Sequence, residues 1–89
     1  MNRKILVEEI VDFYFNTGLL DEVTMNRDGV IATVESCLEK AEHIETIINT
    51  IIIRAKTQKN LDVEKLKRIL IGLEMVRLEL EYKDYSSME

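Results

Sequence analysis

The segment Val30–Ala55 carries an apolar repeat that constrains the fold more than any other feature of the chain. Apolar or small residues recur at alternating spacings of four and three, namely Val30, Val34, Cys37, Ala41, Ile44, Ile48, Ile51 and Ala55. This heptad spacing places them all on one side of an α-helix. The opposite side is polar and is expected to face solvent, and it includes Glu35, Glu39, Glu42 and Thr46. One continuous helix over this segment would be about 39 Å long, and other parts of the chain or a second copy would have to cover its apolar side.

Residues 3–17 have the pattern of a second amphipathic helix, at the N-terminus. Its apolar face consists of Leu6, Val7, Ile10, Val11, Phe13 and Tyr14. Gly18 follows the last periodic residue and can adopt the left-handed conformation that ends a helix. Ile5 and Phe15 lie near the polar edge of this helix, where they can touch a neighbouring element.

Two structures compete for residues 20–34. The segment Asn26–Gly29 has asparagine first and glycine fourth, which is typical of a type I turn, and its flanks alternate and are β-branched. These features favour a short β-hairpin, with the helix beginning near Ser36. The apolar repeat instead favours a helix from about Asp28. We take the helix as the prediction and keep the β-hairpin as the alternative.

The last helix is predicted over about Val63–Tyr85. Asp62 is a suitable N-cap, and Leu61 and Leu66 have the spacing of a hydrophobic staple. The connection from the central helix is short, over about residues 56–60. We therefore expect the central and last helices to form a long antiparallel hairpin.

The last helix has two apolar stripes that lie about 180° apart when residues are placed at 100° intervals. The first stripe consists of Leu66, Ile69, Leu73, Val76 and Leu80. The second stripe consists of Ile71, Met75, Leu78, Tyr82 and Tyr85. The first can pack on the central helix, so the second needs another cover. Either the N-terminal helix covers it within the chain, or it is an interface, most simply that of a homodimer. We predict the interface, because methionine and aromatic residues are enriched in interface cores.

A basic region marks the tip of the hairpin. Between Arg54 and Arg68 there are six cations and two carboxylates, a net charge of +4, which leaves −9 for the other residues because the chain carries −5. Anion or partner contacts are therefore candidates at Lys56, Lys59, Lys65, Lys67 and Arg68. A nucleic-acid-binding module is the alternative function on this basis. It is disfavoured by the acidic balance of the chain and by the lack of aromatic residues at the tip.

The sequence offers no residues for catalysis, a cofactor or a metal. Cys37 and His43 are the only cysteine and the only histidine, so neither an intrachain disulfide nor a protein-only zinc site is expected. His43 and the nearby glutamates fall on the polar face, which favours a solvated charge run over a carboxylate metal site. No nucleophile stands beside a base, and no glycine-rich phosphate loop is present.

We therefore predict one all-α domain over residues 1–89, a small helical bundle made of an N-terminal helix and a long antiparallel helical hairpin. The composition is typical of a folded helical protein, with 46% hydrophobic residues, 33% charged residues and no proline. The predicted function is non-enzymatic: binding another protein as a regulator, inhibitor or adaptor, as a homodimer. The lone cysteine favours the cytoplasm, and Glu8 and Glu9 interrupt the one N-terminal stretch that resembles an export signal. No membrane-spanning run is present.

Overall fold

The described part of the chain forms a small bundle of four helices. The structure is a computed structural model that describes the backbone of residues 2–87 and the side chains of residues 2–83. Its helices are α1 (Arg3–Asn16), α2 (Arg27–Cys37), α3 (Ala41–Ala55) and α4 (Val63–Ser87), and residues 2–87 contain no strand. α1 packs against α2 and α4, and α3 packs against α4. The prediction of an all-α bundle is confirmed.

The ends of α1 follow from local chemistry. The side chain of Asn2 accepts a hydrogen bond from the Lys4 amide at 2.9 Å, which caps the first turn. Gly18 has φ +76°, the left-handed conformation that glycine adopts without strain. The predicted N-terminal helix and its terminating glycine are thus both present.

The segment Asn26–Gly29 begins α2 and is not the turn of a β-hairpin. The Asn26 side chain accepts a hydrogen bond from the Asp28 amide at 3.0 Å, and the Val30 amide donates to the Asn26 carbonyl at 3.1 Å. Asparagine is favoured at an N-cap for the same reason that it is favoured in turns: its short side chain bonds to nearby backbone amides. The alternative of a β-hairpin over residues 20–34 is therefore not supported, and the helix from about Asp28 is.

The prediction of one continuous helix over Val30–Ala55 is wrong. The helix stops at Cys37, and the Glu39 and Lys40 amides each donate to a carbonyl three residues earlier, as in a tightened last turn. Lys40 is then extended, with φ −130° and ψ 129°, before α3 begins. Leu38, 2% exposed, fills the core from inside this turn. The break lets α2 pack on α1 while α3 packs on α4.

The heptad spacing persists across this break, and so could not reveal it. Val30, Val34, Ile44, Ile51 and Ala55 are all buried although they belong to two helices. The core that they share with α1 and α4 is apolar throughout, because no polar or charged residue among those described is buried. The longest predicted element is thus two shorter helices that contribute to one core.

α4 begins as predicted. The Asp62 carboxylate accepts a hydrogen bond from the Lys65 amide at 3.1 Å and so caps the helix. From the first stripe, Ile69, Leu73 and Val76 are fully buried. Leu66 and Leu80 at the two ends of this stripe are partly buried against the same core. One face of the longest helix therefore holds the bundle together.

Candidate interaction surface

The second stripe of α4 is exposed along the outside of the bundle. The exposed fractions are 60% for Ile71, 44% for Met75, 56% for Leu78 and 76% for Tyr82. The side chain of Tyr85, the fifth predicted member, lies outside the described residues. The alternative that α1 covers this stripe is wrong for the four described members. An apolar row of this kind on one helix is unlike the scattered exposed apolar residues of most protein surfaces.

α1 extends the apolar surface sideways. Ile5 of α1 is 54% exposed and lines an open groove of about 300 Å³ together with Ile71, Leu6, Glu9 and Arg68. In the sequence, Ile5 lies near the polar edge of α1, and this position led us to expect a contact with a neighbouring element. Ile5 therefore joins the second stripe in one surface that spans α1 and α4. We call this surface the α4 patch, consisting of Ile5, Ile71, Met75, Leu78 and Tyr82.

Charged residues border the α4 patch on the side of α1. Arg68 lies 3.7 Å from the Glu9 carboxylate, and Glu79 lies 3.2 Å from the Arg3 guanidinium. Arg68 and Glu79 remain more than half exposed while making these contacts. Exposed pairs of this kind contribute little to folding stability, so both groups are available to a binding partner.

The opposite border of the α4 patch, towards α3, is also charged. Lys67 lies 3.8 Å from Glu64, and Glu81 lies 3.6 Å from Arg77. Lys67 and Glu81 are both more than half exposed. The apolar row is thus enclosed by a cation and a carboxylate on each side, which is the arrangement of an apolar interface centre with a polar rim.

Arg77 joins α3 to α4 and was not identified from the sequence. Its guanidinium contacts Glu74 at 2.7 Å and Glu45 of α3 at 3.2 Å, and these carboxylates raise its pKa. Its Nε is buried without a hydrogen-bond partner. A lone arginine among glutamates is common in exposed helices, so only the fold shows that this one connects two elements.

Some cations of the predicted basic tip contact other parts of the chain. Arg54 donates to the Thr17 carbonyl through Nε at 3.0 Å and also through Nη2, so it caps the C-terminal end of α1. Lys65 lies 3.8 Å from Asp12, and Lys67 and Arg68 have the partners given above. Lys56 and Lys59 are exposed and form no ion pair with the described residues. The six cations therefore do not form one free basic surface.

The described residues contain no cluster of metal-ligating side chains. No group of three or more histidine, cysteine or acidic residues is placed to hold a metal ion among the residues that the structure describes. Cys37 is half-buried near Tyr14, whose pKa is raised to about 12, mainly by burial. A groove of about 700 Å³ between α1 and α2 is open and lined by residues of both charge signs, including Arg3, Lys4, Glu8 and Glu35.

Comparison with known proteins adds no relative. No protein-family model matches the chain, and no curated protein or solved structure is significantly similar to it. Among residues 2–87, no helix combines the length and the apolar content needed to cross a membrane. The function of the chain is therefore inferred from the chemistry of its own surface.

Proposed function

We propose that this chain is a non-enzymatic protein-interaction module that forms a homodimer through the α4 patch. The exposure of Ile71, Met75, Leu78 and Tyr82 on a helix whose other face is buried in the core is the observation that supports this most strongly. Water contact with such a row is unfavourable, and a second copy of the same row removes both from solvent. A role as regulator, inhibitor or adaptor follows as a proposal from the lack of catalytic residues among the sequence features.

The size of the α4 patch sets the expected affinity. We take the apolar area that each chain buries as roughly 400 Å², about half of the ~800 Å² per partner that a standard stable interface buries. We therefore expect a dimer that dissociates in the micromolar range. Two copies that bind this weakly dissociate readily, so each can bind another protein through the same surface. This property suits a regulator or adaptor. The location in the cytoplasm stays a prediction from composition.

The double substitution L78E/Y82E tests this proposal. Four buried carboxylates per dimer would be strongly unfavourable, whereas both side chains are exposed in the single chain. We expect a variant with unchanged helical circular dichroism that is monomeric in sedimentation velocity at concentrations where the native protein is dimeric. Unfolding of the variant would show that the stripe belongs to an internal core and would contradict the proposal.

The double substitution V23E/I53E is the matched control. Val23 and Ile53 are as exposed as the substituted pair, lie outside α4, and change the net charge by the same amount. We expect this variant to dimerise like the native protein. A similar loss of dimer in both variants would assign the effect to added charge and not to the α4 patch.

A nucleic-acid-binding module remains the alternative proposal. Lys56 and Lys59 at the tip support it, but Arg54 and Lys65 are engaged with α1 or the residue that follows it. The discriminating measurement is affinity for DNA or RNA at low salt, in the native protein and with Lys65, Lys67 and Arg68 changed to alanine. Phosphate binding would weaken steeply with salt and with these substitutions.

A further inference from the structure

The charges that border the α4 patch have opposite signs at its two ends. On the α1 side the border carries Arg68 towards the start of α4 and Glu79 towards its end. On the α3 side it carries Lys67 towards the start and Glu81 towards the end. Each border is therefore positive at one end and negative at the other, and the two borders have the same polarity along the helix.

We infer that two copies pair with their α4 helices antiparallel, with the two-fold axis near Glu74, so that Arg68 meets the partner's Glu79 and Lys67 meets the partner's Glu81. This inference rests on the proposed homodimer and names its geometry. In an antiparallel pair each border of α4 meets the same border of the partner, in reverse direction. The positive end of each border then lies beside the negative end of the other.

Helix geometry gives the register. With the axis near Glu74 and a rise of 1.5 Å per residue, Lys67 is level with the partner's Glu81 and Arg68 is within about 1.5 Å of the level of the partner's Glu79. The same register brings Ile71 within about 1.5 Å of the level of the partner's Leu78 and the two Met75 residues within about 3 Å. One register therefore brings opposite charges together at the ends of both borders and pairs the apolar row. It also sets the two Glu74 carboxylates at the same level near the axis, where each is neutralised by Arg77 of its own chain at 2.7 Å.

The intrachain ion pairs extend this pattern without being broken. On the α1 side the order of charges becomes Glu9, Arg68, the partner's Glu79 and the partner's Arg3. On the α3 side it becomes Glu64, Lys67, the partner's Glu81 and the partner's Arg77. The signs alternate along both rows, and networks of alternating charge are more favourable than isolated exposed pairs.

Other arrangements of two α4 helices lose these contacts. In a parallel pair each border meets the opposite border at the same level, so Arg68 meets the partner's Lys67 and Glu79 meets the partner's Glu81. Like charges at an interface disfavour the parallel pair. An antiparallel register that centres Ile71 on the partner's Tyr82 instead moves Arg68 about 9 Å along the helix axis from the level of the partner's Glu79, so the opposite charges no longer meet.

Charge reversal at Arg68 and Glu79 tests the register. In R68E two carboxylates face each other at each contact, and in E79R two guanidinium groups do, so each variant alone should dimerise about tenfold more weakly than the native protein. In an equal mixture the R68E and E79R chains complement each other at both contacts. Sedimentation equilibrium should then give a higher average mass for the mixture than for either variant alone. The double variant R68E/E79R should recover part of the lost affinity, because its new charges lie beside Glu9 and Arg3 of like sign.

Controls separate this test from that of the dimer itself. The variants K59E and E42K reverse exposed charges away from α4, and their mixture should behave like the separate chains. If circular dichroism shows that R68E or E79R has lost its fold, K67E and E81K repeat the test on the other border. If the native protein is a dimer but neither R68E with E79R nor K67E with E81K associates more strongly in a mixture than alone, the register is overturned and the proposed dimer is not. A native protein that stays monomeric would overturn the register and the proposed function together.

Discussion

Arg54 shows how a charged residue can have a structural role that its sequence context does not reveal. It is the penultimate residue of the apolar segment Val30–Ala55 and begins the basic region, yet its guanidinium is half-buried against the Thr17 carbonyl at the end of α1. Gly18 makes room for it, since a β-carbon there would lie 3.2 Å from the Arg54 Nη2. The Gln58 amide reaches the same carbonyl at 3.5 Å. Thr17, Gly18 and Arg54 thus act together to join α1 to α3.

Replacement of Arg54 by alanine should destabilise the fold. The Thr17 carbonyl would lose its charged donor, and hydrogen bonds to charged groups contribute about 1.5–3 kcal/mol. We expect the free energy of unfolding in urea to fall by about 2 kcal/mol. Lys56→Ala, two positions along and exposed, is the control and should change it by less than about 0.5 kcal/mol. Equal effects of the two substitutions would contradict the capping role.

The raised pKa of Tyr14 predicts that the stability of the fold depends on pH in the alkaline range. Burial raises its pKa from 10.0 to about 12, so the folded chain holds the phenol proton more tightly than the unfolded chain does. The stabilisation that this provides is complete below pH 10 and is lost as the pH rises from 10 to 12. The unfolding free energy of the native protein should therefore fall more steeply over this range than that of Tyr14→Phe. Parallel pH profiles for the two proteins would contradict this account of Tyr14.

At the scale of the helices, the break between α2 and α3 can be tested with a substitution that should raise the free energy of unfolding if the break is present and lower it if the helix is continuous. Lys40 occupies the N-cap of α3 with extended backbone and provides no side-chain hydrogen bond to the first turn. Serine at this position can accept one, so Lys40→Ser should stabilise the fold by about 1 kcal/mol. Within a continuous helix the same change would destabilise it, by about 0.3 kcal/mol, because serine is the poorer helix former.

The comparison variant is Lys83→Ser, which makes the same change within α4 at an exposed lysine that is not assigned to the dimer contact. We expect a small loss of stability there and a gain at Lys40, both measured as midpoints of chemical unfolding. A loss at both positions would indicate that α2 and α3 are one helix in solution.

The sequence predicted individual helices better than their connections. The periodicity identified α1 and α4 and assigned Ile69, Leu73 and Val76 to the core, because amphipathic spacing reports directly on burial. The end of α2 at Cys37 carries no glycine or proline, and the heptad repeat continues through it. The break depends on which neighbour each half packs against, which is tertiary information. The pattern of Asn26 followed by Gly29 three residues later was similarly ambiguous between a turn and a helix start, since asparagine is favoured both in turns and at helix N-caps.

The candidate surface could be predicted only in part for the same reason. Two opposite stripes on α4 follow from helix geometry alone, and the four described members of the second stripe are exposed. That this stripe is an interface stays a prediction. The contribution of Ile5 and the pairing of Arg68 with Glu9 depend on how α1 crosses α4. The basic tip, in contrast, was identified by net charge, which does not show that Arg54 and Lys65 have partners on or next to α1.

At the scale of the whole molecule, the two apolar faces of α4 have different surroundings. One face completes the core with α1 and α3, and the other face carries most of the α4 patch. Substitution on the exposed face should therefore change association without changing the fold. This separation supports the proposed homodimer, since a partner on the exposed face is a reason for the longest helix to be apolar on both sides.

Sedimentation equilibrium of the native protein over a range from about 0.5 to 200 µM tests that claim most directly. We predict that the average mass rises with concentration from the 10.4 kDa of one chain towards twice that value, with a midpoint in the micromolar range. The L78E/Y82E variant should remain at the mass of one chain throughout. A native protein that stays at 10.4 kDa over the whole range would contradict the account.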